Sequence, residues 1–500
     1  MVIIDPRRLT PRLAVFAALI PKCSERLRPR GLIQRPPRTL NLLELRSGSS
    51  IKRLSTLLLQ LNKQRLQAIL SLGLPIIGGM LSQSLLNLVD TAMVGALGRN
   101  ALAGVGIGGY ANFMVIALII GLSSGVQTLV ARRHGQGRID EKAAPLNCGL
   151  LIALVFTLPL TALCLHYSSA IVSVISDDPA VTSIAEPYFE YRVLALLAVG
   201  FNLSFRGYWN GINQALVYLR ILLLVQLFNV VISYGLIYGT LGLPELGAPG
   251  AGLGTSLALF LGAILYSAIT FKRARSRGFL KQRPDRKTFI RLIRLSIPHS
   301  LQQFMFATGI TLLFWIIAQI GTQELAIAHV LTLLSLFLIL PAVGLGMAAT
   351  TLVSNALGRN EPEQACEWGW DTVKVAALML ILLSTPLWLF PEQILSLFIH
   401  EQNLIQQAII PLRITCLAIC VDVVAIVFTQ ALLGAGANRT VMWVTTLGQW
   451  GFYLPLAWLV GPTLGGGLTA IWLVQLLHRS LSSILFGYLW SKKRWARIRL

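Results

Sequence analysis

Twelve apolar stretches separated by short polar connections make up the chain from about residue 67 onward. They run over 68–92, 105–131, 146–167, 187–207, 215–239, 251–271, 289–319, 326–354, 373–396, 404–433, 440–461 and 466–490. At about 1.5 Å of helical rise per residue, each reaches across a hydrocarbon layer roughly 30 Å thick. The pattern predicts an all-α integral membrane protein with twelve transmembrane helices. Inside the stretches, polar positions are sparse and recur at helical spacing. In the first, Gln83, Asn87, Asp90 and Thr91 fall three to four apart and share one face. Hydrocarbon tolerates such a face only where it meets protein or water.

The pattern also repeats. A constant offset of 223 positions pairs Pro75 with Pro298, Gly98 with Gly321, Gly121 with Gly344, Gly135 with Gly358 and Gly211 with Gly434. One offset holding across four helices marks an internal duplication. Six helices per unit is an even number, so both units insert the same way up, related by an axis along the membrane normal. Parallel repeats place the substrate path between the halves. The domain reading is therefore a basic extension over 1–66, an N-lobe over 67–271, a basic linker over 272–288, a C-lobe over 289–490 and a basic tail over 491–500.

The connections alternate in charge. One set carries Arg132, Arg133, Arg138 and Lys142, then Arg206 and Arg220, then the linker, then Arg359, Arg439 and the tail. The other set carries Asp177, Asp178, Glu245, Glu324 and Glu401, with Arg99 as the exception. By the positive-inside rule both termini are expected in the cytoplasm. The net charge of +22 follows this distribution, so it points to an anionic leaflet rather than to nucleic acid. The extension is rich in Arg and poor in acid, as organellar transit peptides are. The preferred reading is a disordered or surface-lying cytoplasmic segment. No Met falls between Met1 and Met80, so an ordinary internal start would not remove it.

Composition agrees: 55% of residues are hydrophobic, 12% charged, and mean hydropathy is +0.69. Soluble proteins carry roughly a quarter charged residues. The six cysteines include Cys416 and Cys420, one helical turn apart, read as packing residues because that spacing suits no disulfide. The six His make no metal-binding spacing, and no GxxxxGK[ST] motif supplies a nucleotide site. Neither a metal nor a cofactor is expected. Nothing resembles a catalytic triad or paired catalytic carboxylates, so an enzyme is not expected either.

Asp90 carries the strongest functional signal, since an intramembrane carboxylate is costly unless it serves a pathway. A carboxylate that gains and loses a proton, or holds a cation, suits coupling. The blander alternative is a carboxylate fixed by a helix partner or solvated near the helix end. The fifth stretch carries Gln226, Asn229 and Ser233 at the same spacing, though amides and hydroxyls also merely tie helices together. Asp422 in the tenth stretch is a second deep carboxylate, with pairing to Arg413 as its structural alternative. Gln302, Gln303 and the aromatics Tyr110, Phe201, Phe205, Phe304, Phe306 and Trp315 are cavity or packing residues. Position 313, the repeat partner of Asp90, is Leu, so coupling is expected to be biased to the N-lobe.

These residues resemble the multidrug and toxic compound extrusion (MATE) transporters. The resemblance covers about 67–490. It is carried by Pro75 with VDTAMVGALG (Val89–Gly98), by His134-Gly135-Gln136-Gly137 and its counterpart Ser354–Asn360, and by GAGANRTVM (Gly434–Met442). It implies two six-helix lobes, V-shaped around a central cavity. It also implies export of amphipathic, often cationic, compounds in exchange for protons or sodium ions, with Asp90 as a coupling and substrate residue. In one group of such proteins the fifth helix carries Asn and, four residues on, Asp; here Asn229 is followed by Ser233. In another, a seventh-helix Glu lies eight residues after the proline; here that residue is Phe306. That group's tenth-helix Asp is matched by Asp422.

The expected site is therefore Asp90, Asn87, Gln83, Thr91, Asn229, Ser233 and Asp422. The expected protein is a monomer in a bacterial inner membrane, surrounded by lipid, binding small molecules and no nucleic acid. A flippase of the same superfamily is the nearest rival and would need several cavity Arg or Lys; Arg192 and Arg413 are the main intramembrane cations read from the pattern. A lipid-modifying membrane enzyme and a passive channel fit the pattern less well.

Overall fold

The computed structural model describes residues 62–282, 284–399 and 401–500. All regular structure among them is helical. The expected extension over 1–66 lies almost wholly outside this range, and the first helix begins at Lys63, inside the stretch assigned to it.

Twelve membrane-length stretches follow in order. In the first half they are α1 (Lys63–Gly95), α2 (Arg99–Gly135), α3 (Ala144–His166), α4 (Pro179–Leu194 and Leu196–Gly211), α5 (Ala215–Tyr238) and α6 (Ala248–Ala274). In the second half they are α7 (Arg286–Ala318), α8 (Thr322–Gly358), α9 (Pro362–Leu389), α10 (Gln402–Ala435), α11 (Asn438–Thr446 through Leu459–Thr463) and α12 (Gly467–Ser491). Ten are long and apolar enough to cross a membrane. One of these, α2, turns at 118–120 between Arg99–Ala117 and Gly121–Gly135, and the other two stretches are interrupted as well. The halves of α4 meet at Ala195, and α11 contains two π-helical stretches, Leu447–Tyr453 and Leu459–Thr463. Pro455 follows the first stretch and Pro462 lies in the second. Each lacks the N–H that continues an α-helical ladder, which favours the wider register there.

The ninth stretch is displaced from its expected span of 373–396. Its far end forms a separate short helix, Pro391–Leu395, because Pro391 holds Phe390 out of helical geometry at φ −121° and ψ 53°. Asp285 caps α7. Its carboxylate accepts from the Thr288 N–H at 3.3 Å, and hydrogen bonds from the amides at the helix start, that of Lys287 foremost, hold it below the usual carboxylate range.

The two six-helix lobes meet across a pseudo-twofold seam. A Cβ at Gly121 of α2 would fall on the backbone of Ser296 and Ser300 in α7. A Cβ at Gly344 of α8 would fall on Ile77 in α1, and Ile77 and Ser300 are themselves repeat partners. At the last residues of α2 and α8, Gly135 packs on Asn355 and Gly358 on Arg132, again a reciprocal pair. Two of the four recurring glycine pairs thus mark where the lobes touch, whereas Gly211 and Gly434 pack on Gln127 and Thr350 within their own lobes. Crossing them, the first half of α1 (Ile69, Leu72, Ile76 and Ile77) joins the C-lobe core with Leu345 and Ala348 of α8.

All these contacts lie toward the end that carries the basic connections, and further polar ties close it. Arg65 of α1 reaches Glu367 and, at 2.9 Å, Asp371 of α9, which also holds Lys374 at 2.9 Å. Arg133 donates to Thr288 Oγ1 at 2.7 Å. Toward the opposite end, Gln83, Asn87 and Thr91 on α1 are exposed. The lobes are thus tied most heavily at the basic end, while toward the other end Tyr110 of α2 still touches Thr311 of α7.

Candidate functional site

The polar face of α1 forms as its spacing requires. Gln83 Nε2 donates to Asn87 Oδ1 at 3.4 Å, and Thr91 Oγ1 donates back to the Asn87 carbonyl at 2.7 Å. Asp90 is half-buried on the same face. Its Oδ1 is shielded from solvent and has no hydrogen-bond partner among the described residues. Arg192 of α4 acts on its charge from beyond ion-pair distance, and the Arg192 Nε is likewise buried without a partner. A carboxylate and a guanidinium thus lie near one another, each with an unspent hydrogen-bonding group.

α5 joins this face through one contact. Gln226 Nε2 donates to Gln83 Oε1 at 3.4 Å. Deeper in the lobe, Ser233 Oγ donates to Asn229 Oδ1 at 3.4 Å; both residues are fully buried, and Ser233 packs against Gly254 of α6. Between α1, α4, α5 and α6 lies a cavity of about 180 Å³ whose lining includes Gln83, Gln226 and Asn229. Six of the seven expected site residues therefore belong to the N-lobe, with Gln83 and Asn229 on one cavity.

Asp422 stands apart. Its Oδ2 accepts from Arg479 Nη1 of α12 at 2.7 Å, with both side chains 16% exposed. Arg413, the alternative partner expected from sequence, instead lies over the Trp388 ring at 5.8 Å. Nearby, the Tyr453 and His478 rings stack with centroids 5.2 Å apart. Asp422 is thus one member of a C-lobe ion pair that joins α10 to α12.

The other candidates divide the same way. Phe205 is fully buried, stacked on Tyr266 at 5.8 Å, and so belongs to the N-lobe core. Tyr110 touches Thr311 across the lobes. Gln303 lies 3.3 Å from His299 Nε2, and the His299 Nδ1 lies 2.6 Å from Ser124 Oγ, so this group stitches α7 to α2. Cys416 and Cys420 form no disulfide.

Two residues escaped the sequence reading. Arg479 was not singled out, although it is a cation inside the last apolar stretch. Arg206 was placed in a connection, yet it lies on the second half of α4 and lines the N-lobe cavity. The available signal was its spacing of four from Asn202, which faces the same cavity.

Comparison with known proteins gives concordant matches. A family profile described as MatE matches residues 75–235 and 298–459, one copy in each lobe. The chain is similar to a probable multidrug resistance protein NorM of Synechococcus sp., 29% identical over 442 residues, 85% of this chain and 93% of that protein. A NorM of Pasteurella multocida is 26% identical over 407 residues, 80% of this chain and 87% of that protein. Among solved structures, one described as an outward-facing conformation of a multidrug resistance MATE family transporter is similar with a TM-score of 0.80 at 20% identity. It covers 87% of this chain and 97% of its own. A transporter of the MOP superfamily from Pyrococcus furiosus is similar with a TM-score of 0.78 at 21% identity, covering 86% and 95%. These last two likenesses concern the fold.

Proposed function

The chain belongs to the MatE family, and from that premise we propose that it is a secondary active antiporter exporting amphipathic organic compounds in exchange for protons or sodium ions. The observation that carries this reading is Asp90: a half-buried carboxylate with one oxygen unpartnered, on the helix face that also carries exposed Asn87 and Thr91. A proton or cation taken up there supplies the partner that the protein withholds. Asn87, Gln83 and Thr91 continue the polar face, and Asn229 and Ser233 extend it into the N-lobe. Asp422 has a smaller share in this reading, since Arg479 already neutralises it.

The basic end faces the cytoplasm in this proposal, as the positive-inside rule requires. The less heavily tied end then faces outward. Ion binding at Asp90 releases substrate to that side, and closure of the cleft delivers the ion inward as the basic end parts. The protein acts as a multi-pass monomer in a bacterial inner membrane.

The test is efflux of a cationic dye from vesicles under separately imposed pH and sodium gradients. One gradient is expected to drive export by the unaltered chain. Asp90→Asn is expected to reach the membrane in equal amount and to lose gradient-driven export at least about tenfold, since intramembrane carboxylates mark ion pathways. Full export by Asp90→Asn would overturn the assignment.

A further inference from the structure

We propose that Arg192 is a built-in rival of the coupling ion: its guanidinium closes on Asp90 when the carboxylate carries no ion, and withdraws when a proton or cation binds there. The inference rests on the transport reading above and deepens it, by naming the side chain that lets the ion leave.

The fold sets the two side chains at one depth. α1 and α4 cross the lobe in opposite directions. Val94 of α1 and Tyr188 of α4 share the buried outer cluster of the N-lobe with Ala101, Ile237, Ala248 and Ala251. Asp90 lies one turn before Val94 and Arg192 one turn after Tyr188, so both lie one turn deeper than that cluster. The segment of α4 that carries Arg192 is held from two sides. A Cβ at Gly108 of α2 would meet the Ala185 carbonyl and the Tyr188 ring, and one at Gly252 of α6 would meet the Tyr188 carbonyl. Tyr188 feels the charges of both Asp90 and Arg192, and no charged group but Arg192 acts on Asp90 among the described residues.

Neither side chain is satisfied. The Asp90 carboxylate accepts no hydrogen bond among the described residues, and its Oδ1 is shielded from solvent. The Arg192 guanidinium donates to no acceptor among them, its Nε is buried, and the carboxylate stands beyond ion-pair distance. Charges left unpaired inside a membrane protein are costly. Two arrangements remove that cost. In one, the guanidinium reaches Asp90 as a charge-assisted pair. In the other, a proton or cation neutralises Asp90, and half-buried Arg192 turns its head group to water. Both contenders for the carboxylate are cationic, so each weakens the hold of the other. That competition gives the ion a way off a site that otherwise retains it.

The C-lobe supplies the contrast. Its own deep acid and arginine, Asp422 and Arg479, are closed at 2.7 Å. At the offset of 223, Asp90 and Arg192 correspond to Leu313 and Thr415, and the Thr415 hydroxyl accepts from Trp472 Nε1 at 2.7 Å. The fold thus accommodates a closed pair between helices, and packs without an acid or an arginine at these two positions. The separated pair belongs to function rather than to architecture.

The experiment uses the full chain in vesicles and reads dye export against the concentration of the driving ion. Arg192→Gln is expected to need about tenfold less ion for half-maximal export, as removal of a cation near a carboxylate allows. Its maximal rate is expected to fall severalfold, because the ion leaves more slowly. Arg192→Lys keeps the charge without the fork and is expected to move both quantities the same way by about twofold. Melting temperatures in detergent give a reading without a gradient. In sodium-free buffer at high pH, the losses from Asp90→Asn and Arg192→Gln are expected to fall short of additive in the double variant; in buffer saturating in the driving ion they are expected to add. Half-saturation left unmoved by Arg192→Gln, or by Arg192→Lys where only that variant reaches the membrane, would overturn the proposal. So would an equal coupling in both buffers, since Arg192 would then be a fixed structural partner. Export by the unaltered chain that ignores both gradients would overturn the antiport reading and this proposal with it, so the two failures are told apart.

Discussion

At the scale of single residues, the two deep carboxylates illustrate how partners decide a role. Asp90 and Asp422 look alike in sequence, each a lone acid in an apolar run. In the fold, Asp422 is held by Arg479 at 2.7 Å, whereas Asp90 keeps an oxygen without a protein partner. Removing one member of a largely buried pair leaves the other charge uncompensated, which costs roughly 3 kcal/mol or more. Asp422→Asn is therefore expected to lower the melting temperature in detergent. The double variant Asp422→Asn with Arg479→Gln is expected to recover most of that loss, because both charges are then gone. Thermal unfolding of the three variants checks this. A melting temperature untouched by Asp422→Asn, together with lost export, would instead assign Asp422 to transport.

At the scale of elements, the repeat explains why certain glycines recur at one offset. Gly121 and Gly344 let α7 and α1 cross α2 and α8 backbone to backbone, and no larger residue fits at either position without a shift. Overpacking at such a crossing costs about 1–3 kcal/mol. Gly344→Val is expected to lose that much stability and to weaken export severalfold. Gly106→Ala, where nothing lies within 4 Å of the added atom, is expected to stay within about 0.5 kcal/mol of the unaltered chain. Denaturation in detergent with parallel efflux assays reads both. Equal behaviour of the two variants would show that the crossing tolerates side chains. The proline pair has a related character: Pro75 and Pro298 lie within continuous helices, one in each lobe, so they are shared architecture.

At the scale of the whole molecule, the closed end is the part that must yield if the cleft is to open on the other side. Arg65 of α1 bridges to Glu367 and Asp371 of α9, with the Arg65 side chain 24% exposed and the Asp371 side chain 11%. Pairs at this exposure contribute about 1 kcal/mol each. Arg65→Ala is expected to shift the population toward parting of the basic end. A cysteine placed at Asn355, which packs on Gly135 across the seam, then reacts several times faster with an impermeant maleimide applied from that side. Raising the salt concentration is expected to narrow the gap between variant and unaltered chain, since exposed ion pairs are screened. Labelling rates that do not differ would show that the glycine seam alone keeps this end shut.

The sequence by itself determined the helix count, the duplication, the basic end and the polar face of α1. These follow from local rules, because hydrocarbon imposes a length on every span, and the 3.6-residue period places Gln83, Asn87, Asp90 and Thr91 together whatever surrounds them. It also located the recurring glycines, but not what they touch. Tertiary structure alone decided the partners. Arg479 rather than Arg413 meets Asp422, because a pairing between helices depends on which faces turn toward each other. Arg206 moved from a basic connection to a cavity wall, because a residue near a helix end belongs to solvent or to the interior according to the helices packed beside it. The breaks in α4 and α11 were hidden for the same reason: an apolar run reads as continuous, while its backbone register answers to proline and to its neighbours.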